Sequence, residues 1–251
     1  MAVEEAQKPQ EAPEPLEVEH GYYSESRSLP VSVLSILPLI VLYHVGIVAR
    51  GYAVRNLAEV WLEGPLGLLG LHAAQVLNVA VIVALAVVLV RGNRSGLPNL
   101  LVAVVMVAEA AFYALLLERS GMVLAHAAYD EARHVFFAVS LHVQSPADLM
   151  LALGAGVYEE LLFRLLLVGG GILLLQKVFM WSTRRSVAVC LVVSSLAFSA
   201  VHHMGPLGEP FDGYVFTYRA VCGLLLGVVY LSRGFGVAVW THSLYNALVI
   251  L

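Results

Sequence analysis

Apolar runs close to twenty residues long recur along this chain once its first thirty residues are passed, and they decide its solvent. Hydropathy places spans at about 31–49, 66–90, 98–117, 149–175, 187–204, 214–232 and 235–251. Such runs approach the roughly 20 residues with which a helix crosses a hydrocarbon core. Only 13% of the 251 residues are charged, against about a quarter in ordinary globular domains, and the mean hydropathy is +0.83. A water-soluble fold with so little charge would expose large apolar patches. The expected fold is therefore all-α: a polytopic transmembrane helix bundle of seven or eight spans, in an integral, multi-pass membrane protein.

Residues 1–30 break the pattern, being acidic, proline-bearing and poor in large apolar side chains. They read as a disordered acidic tail ahead of a transmembrane domain over 31–251. They lack the basic start and apolar centre of a cleavable signal peptide. Cys190 and Cys222 both sit in apolar stretches and read as core residues, not as a disulfide framework or thiol metal site. No basic, aromatic-interleaved patch points to nucleic acid. The segment 121–143 is ambiguous, because Asp130, Glu131, Arg133 and His134 interrupt two apolar halves. It fits an eighth span or an interfacial helix. Lys177, Arg184 and Arg185 place the 176–186 loop in the cytoplasm, and Arg233 returns the chain to that side. The loop around "HMGPLGEPFDG" lies opposite. The sequence leaves the oligomeric state and the number of spans open.

Ionisable side chains at span depth are rare and usually face the protein interior, so locating them is a search for a site. The second half of the chain has Glu159, Glu160, Arg164, His202, His203 and His242, joined by Asn246, on three separate spans. Glu160 and Arg164 are four apart and share a helical face, which predicts an ion pair. Glu159 is rotated about 100° from its neighbour and needs a partner from another span, which makes it a candidate general base. His202 shares a face with Phe198, and His242 shares one with Asn246. Each of these alone fits a helix-bridging hydrogen bond; together they require company across three spans. Glu109, His44, His72 and Gln75 read as contacts between helices, and His203 as pointing away from the site.

Three motifs follow in order: "EELLFR" as Glu-Glu-x-x-x-Arg, "FSAVH" as Phe-x-x-x-His and "HSLYN" as His-x-x-x-Asn. Over 149–251 the chain thereby resembles the CPBP family of intramembrane glutamic proteases, which includes the type II CAAX prenyl endopeptidases and bacterial relatives. The resemblance implies an endopeptidase of the bilayer, in a bacterial inner membrane, acting on a membrane-associated or lipidated protein. It implies that Glu159 activates a water held by His202. It also implies that His242 and Asn246 donate to the oxyanion, while Glu160 and Arg164, with Phe198, support them. No cofactor and no metal is implied.

Other readings start from the same residues. Two histidines and two carboxylates can hold zinc, although the His-Glu-x-x-His run of membrane zinc proteases is missing. "EARH" at 131–134 has the Glu-x-x-His spacing of di-iron bundles, in a single copy. A scaffold or immunity-type protein without proteolysis, or a proton-coupled transporter, would also place carboxylates in the membrane.

Overall fold

The computed structural model describes residues 21–51, 55–67, 100–129, 145–205 and 208–250, with Val83, Val87 and Val90. Among them there is no strand. The helices are α1 (Tyr22–Ser26), α2 (Leu29–Ala49), α3 (Leu57–Gly67), α4 (Leu100–Tyr129) and α5 (Pro146–Glu160). A π-helical stretch, Leu161–Gly170, joins α5 to α6 (Gly171–Lys177). After them come α7 (Thr183–Val201), α8 (Gly213–Arg233) and α9 (Phe235–Ile250).

Helices α2, α4, α7 and α8 are long and apolar enough to cross a membrane. The large apolar side chains exposed on α4, among them Leu101, Val104, Phe112 and Leu115, suit contact with acyl chains. The chain is a membrane protein by these four helices. Two further stretches expected to span are helical but are not among these four: 149–175 is divided by the π winding, and the last is the 16-residue α9. The span expected at 66–90 lies almost wholly outside the described residues, as do His72, Gln75 and the "EARH" segment. Helix α4 runs twelve residues beyond the boundary at 117, so the first part of the ambiguous 121–143 segment continues that helix.

The sequence dictates the helix ends. Ser28 caps α2 by accepting a hydrogen bond from the Val31 amide, with Pro30 in the first turn. Asp212 caps α8 by accepting from the amides of Tyr214 and Val215. Asp148, in the first turn of α5, accepts from the amide of Ser145 at 3.0 Å and pairs with Arg50 just past α2. Gly234 alone separates α8 from α9; its φ of +91° is a backbone state that a side chain would strain.

Helix α9 is the central element, packed against α2, α4, α5 and α8. Val237, Ala238, Val239, Thr241 and Ser243 are all sealed from solvent, as expected of a helix apolar on every side. Helix α2 lies close along α5 at Gly154, where a Cβ would come within 2.1 Å of the Tyr43 Cβ. Tyr43 also packs on Tyr158, ring centroids 5.0 Å apart.

Residues 21–30 depart from the expected tail. They form α1 and the start of α2, because α1 is tied to the bundle. Arg233 donates to Glu109 at 2.5 and 2.9 Å and to Ser26 at 3.1 Å, and its guanidinium lies against the rings of Tyr22 and Tyr23. Tyr22 also bonds Glu109. Burial, with Glu109 beside it, pushes the Tyr22 phenol up to about 12, so it keeps its proton as a donor. Arg233 is thus a buried partner of α4 and α1. Glu109 does connect helices, as expected. For His44 the contact seen among the described residues is within its own helix, its Nδ1 lying 2.8 Å from the Ile40 carbonyl.

The two ends of the bundle differ in charge. Arg27, Lys177, Arg184 and Arg185 lie at the end that carries α1 and the α6–α7 turn. At the other end Arg50, Arg55 and Arg219 pair with Asp148, Glu59 and Glu209.

Candidate active site

Glu159 and Glu160 close α5, and the backbone passes into the π winding immediately after them. Such windings are uncommon and gather at functional sites. Helix α9 presents His242 between the two carboxylates. Its Nδ1 lies 2.8 Å from Glu160 Oε1, and its Nε2 lies 3.5 Å from Glu159 Oε2.

Glu160 is completely buried and Arg164 is 1% exposed, with Arg164 Nη1 3.1 Å from Glu160 Oε1. This is the i,i+4 pair expected from the spacing. Arg164 Nη2 also donates to the Gly223 carbonyl at 3.1 Å, and the guanidinium stacks over Phe198 at 4.7 Å. Phe198 meets His202 and His242 edge-on as well, at 5.0 and 5.6 Å between ring centroids. One aromatic ring thereby spaces the arginine and both imidazoles.

His202 follows the last residue of α7. Its Nδ1 lies 2.7 Å from the Phe198 carbonyl. A carbonyl only accepts, so Nδ1 bears the hydrogen and the Nε2 lone pair is left for another donor. His203 turns away, its ring held between Phe211 and Phe216. Asn246 donates one amide hydrogen to the Ala152 carbonyl at 3.2 Å; a carboxamide has a second.

Glu159, His202, His242 and Asn246 line one cavity of about 240 Å³ between α5, α7, α8 and α9. The four residues selected from the sequence are therefore neighbours in space. Glu160 and Arg164 are buried directly behind them, and Phe198 lines the same cavity. Among the described residues no group of three or more His, Cys, Asp or Glu side chains is arranged to hold a metal ion.

Sequence reasoning missed several residues of the wall. Asn56 donates to Glu159 Oε1 at 2.7 Å, supplying the partner that Glu159 lacks in its own helix. Asn56 also accepts from the Ala58 amide at 2.8 Å, a helix-capping contact that conceals its second role. Tyr43 fixes it further by accepting from the Asn56 amide at 2.9 Å and donating to Glu59 at 2.6 Å. Arg219 and Glu209, paired at 2.8 Å, line the cavity too. Arg219 stands inside an apolar span and meets the criterion that selected Arg164. Cys222 is buried, as expected, and borders the same cavity.

Residues 144–248, about two-fifths of the chain, match the family model of type II CAAX prenyl endopeptidase Rce1-like proteins. This stretch is an Rce1-like domain and contains all three motifs. The match is to a family of membrane proteases and agrees with the resemblance carried by the motifs. No curated protein and no solved structure matches the chain.

Proposed function

We propose that this protein is an intramembrane endopeptidase of the glutamate type, hydrolysing a peptide bond of a membrane-associated or lipidated protein. The observation that carries the reading is the convergence of Glu159, His202, His242 and Asn246 on one cavity walled by membrane helices.

In this reading water is the nucleophile. His202 Nε2 accepts one of its hydrogens and Glu159 takes the proton as the oxygen attacks the carbonyl carbon. Asn56, bonded to Glu159 Oε1, holds the carboxylate so that Oε2 points to the reaction. The tetrahedral oxyanion accepts from the second amide hydrogen of Asn246. A preorganised donor of this kind contributes roughly 3 kcal/mol to lowering the barrier. No side chain attacks the substrate, so no acyl-enzyme forms. Glu160 and Arg164 neutralise each other and hold the α5 end against α8 and α9. The chemistry requires no cofactor or metal.

The test is cleavage of a farnesylated Cys-a-a-X peptide by detergent-solubilised protein, comparing wild type with Glu159→Ala and His202→Ala. Each substitution is expected to lower kcat by roughly 10²–10⁴, the range of acid–base catalysis. Undiminished cleavage by either variant would overturn the assignment. Activity lost to a chelator and restored by zinc would replace it with metal chemistry.

A further inference from the structure

We infer that His242 is the acid that protonates the leaving amine, loaded with its proton by Glu159, rather than a standing donor to the oxyanion. The inference deepens the hydrolase reading above and rests on it.

The argument starts from the polarity of one hydrogen bond. Glu160 Oε1 faces both Arg164 Nη1, at 3.1 Å, and His242 Nδ1, at 2.8 Å. A carboxylate in an ion pair offers only lone pairs, so the hydrogen between it and His242 belongs to the imidazole. Nδ1 is thereby committed to Glu160, and Nε2 is the position where the ring can gain or lose a proton. Nε2 faces Glu159 Oε2 at 3.5 Å. Both atoms are acceptors until a proton sits on one of them. The gap between them therefore belongs to a proton that either side can carry, and it needs to close by only a few tenths of an ångström to reach hydrogen-bond length. Catalytic hydrogen bonds commonly tighten in this way when substrate binds.

The surroundings favour such transfer. The His242 ring is 3% exposed and braced edge-on by Phe198. It lines the cavity beside Glu159, where a bound substrate would meet both. A proton arriving on Nε2 makes an imidazolium whose other nitrogen is already bonded to the Glu160 carboxylate. This is how a carboxylate behind a histidine holds the tautomer and supports its charge in other hydrolases. Glu160 is thus a positioning residue for His242. Asn246 differs in kind, since its amide hydrogens do not depend on protonation.

The steps balance. Water oxygen bonds the carbonyl carbon as its proton passes to Glu159, leaving an oxyanion. Glu159 gives that proton to His242 Nε2. His242 gives it to the amide nitrogen, the C–N bond breaks, and the electron pair leaves with a neutral amine. The oxyanion re-forms a carbonyl, and both residues regain their starting states.

The test separates acid from donor by the leaving group. N-acetyl-S-farnesylcysteine p-nitroanilide requires protonation of its leaving nitrogen; the p-nitrophenyl ester of the same shape expels a stable anion without it. His242→Ala in detergent-solubilised protein is expected to slow the anilide by roughly a hundredfold or more. It should slow the ester by less than about tenfold, and ester turnover doubles as proof of folding. His242→Asn, which keeps an N–H but carries no proton, should fail on the anilide in the same way. Equal losses of about 10²–10³ on both substrates, the signature of an oxyanion donor, would overturn the relay while leaving the hydrolase intact. Recovery of the anilide by His242→Asn would do the same. Wild-type protein that turns over neither substrate would overturn the hydrolase reading and the relay with it.

Discussion

Replacing Arg164 with methionine tests whether the paired charges beneath the cavity hold the bundle together. The substitution keeps an unbranched side chain but removes the guanidinium 3.1 Å from Glu160. It leaves a carboxylate with no exposure to solvent, and one of that carboxylate's oxygens, Oε2, already has no hydrogen-bond partner among the described residues. Removing one member of a buried pair costs about 3–5 kcal/mol. Loss of the stacking on Phe198 adds up to about 2 kcal/mol. The contact with the Gly223 carbonyl adds little, because that oxygen lies within α8 and helical carbonyls have a backbone partner. A loss of about 3–7 kcal/mol is expected from these two terms, read from unfolding in mixed detergent–SDS micelles by tryptophan fluorescence. A double-mutant cycle supplies the control. Glu160→Gln still accepts from His242 and removes the orphaned charge, so the double variant should be more stable than Arg164→Met alone. Arg164→Met within about 1 kcal/mol of wild type, or a double variant no better than the single, would show that the pair is not what holds this part of the fold.

Three further expectations follow. Asn56→Ala deletes a hydrogen bond to a charged acceptor, worth about 1.5–3 kcal/mol; kcat should fall roughly ten- to hundredfold with KM little changed, and unchanged kcat would remove Asn56 from the site. Gly154→Ala places a methyl 2.1 Å from the Tyr43 Cβ; parting α2 from α5 should cost about 1–3 kcal/mol in the same unfolding experiment, and a neutral result would mean the two helices are not in close contact there. Positive-inside bias puts the Arg27, Lys177, Arg184 and Arg185 end in the cytoplasm, so the cavity end faces outward. An impermeant maleimide on intact cells should then label Phe211→Cys and spare Met180→Cys, both positions being exposed and both native cysteines buried; the reverse pattern would invert the topology.

Much of the candidate site could be read from sequence because the bilayer penalises its residues. Glu160 and Arg164 declared their pairing through a spacing of four, and Glu159 declared its need for an outside partner by lacking one in its own helix. The identity of that partner was hidden. Asn56 belongs to a short connection before α3, where an asparagine is fully explained by capping, so nothing in its local sequence marks a second bond. The partner of Arg233 was hidden for a related reason: a cation at a helix end shows nothing of Glu109 until α4 is brought to it. The rotation of His242, with Nδ1 rather than Nε2 on Glu160, is a tertiary fact that spacing does not encode. Helix α1 escaped notice because five residues carry no periodic pattern, and its anchors, Glu109 and Ser232, lie far along the chain.

The π winding from Leu161 to Gly170 has a consequence for how this fold tolerates changes of length. A π turn holds one more residue than an α turn, so deleting a residue here lets the backbone relax to ordinary winding with its hydrogen bonds intact. The helix would still span its layer, and the tighter winding would absorb the rotation that the lost residue supplied, so the faces before and after the deletion would keep nearly the same relation. Arg164 lies inside this winding and the two glutamates just before it, so their facing is what the slack preserves. A chain shortened by one residue beyond Arg164 would therefore keep both carboxylates toward their present neighbours, whereas the same loss from an α-helical stretch would turn them by about 100°.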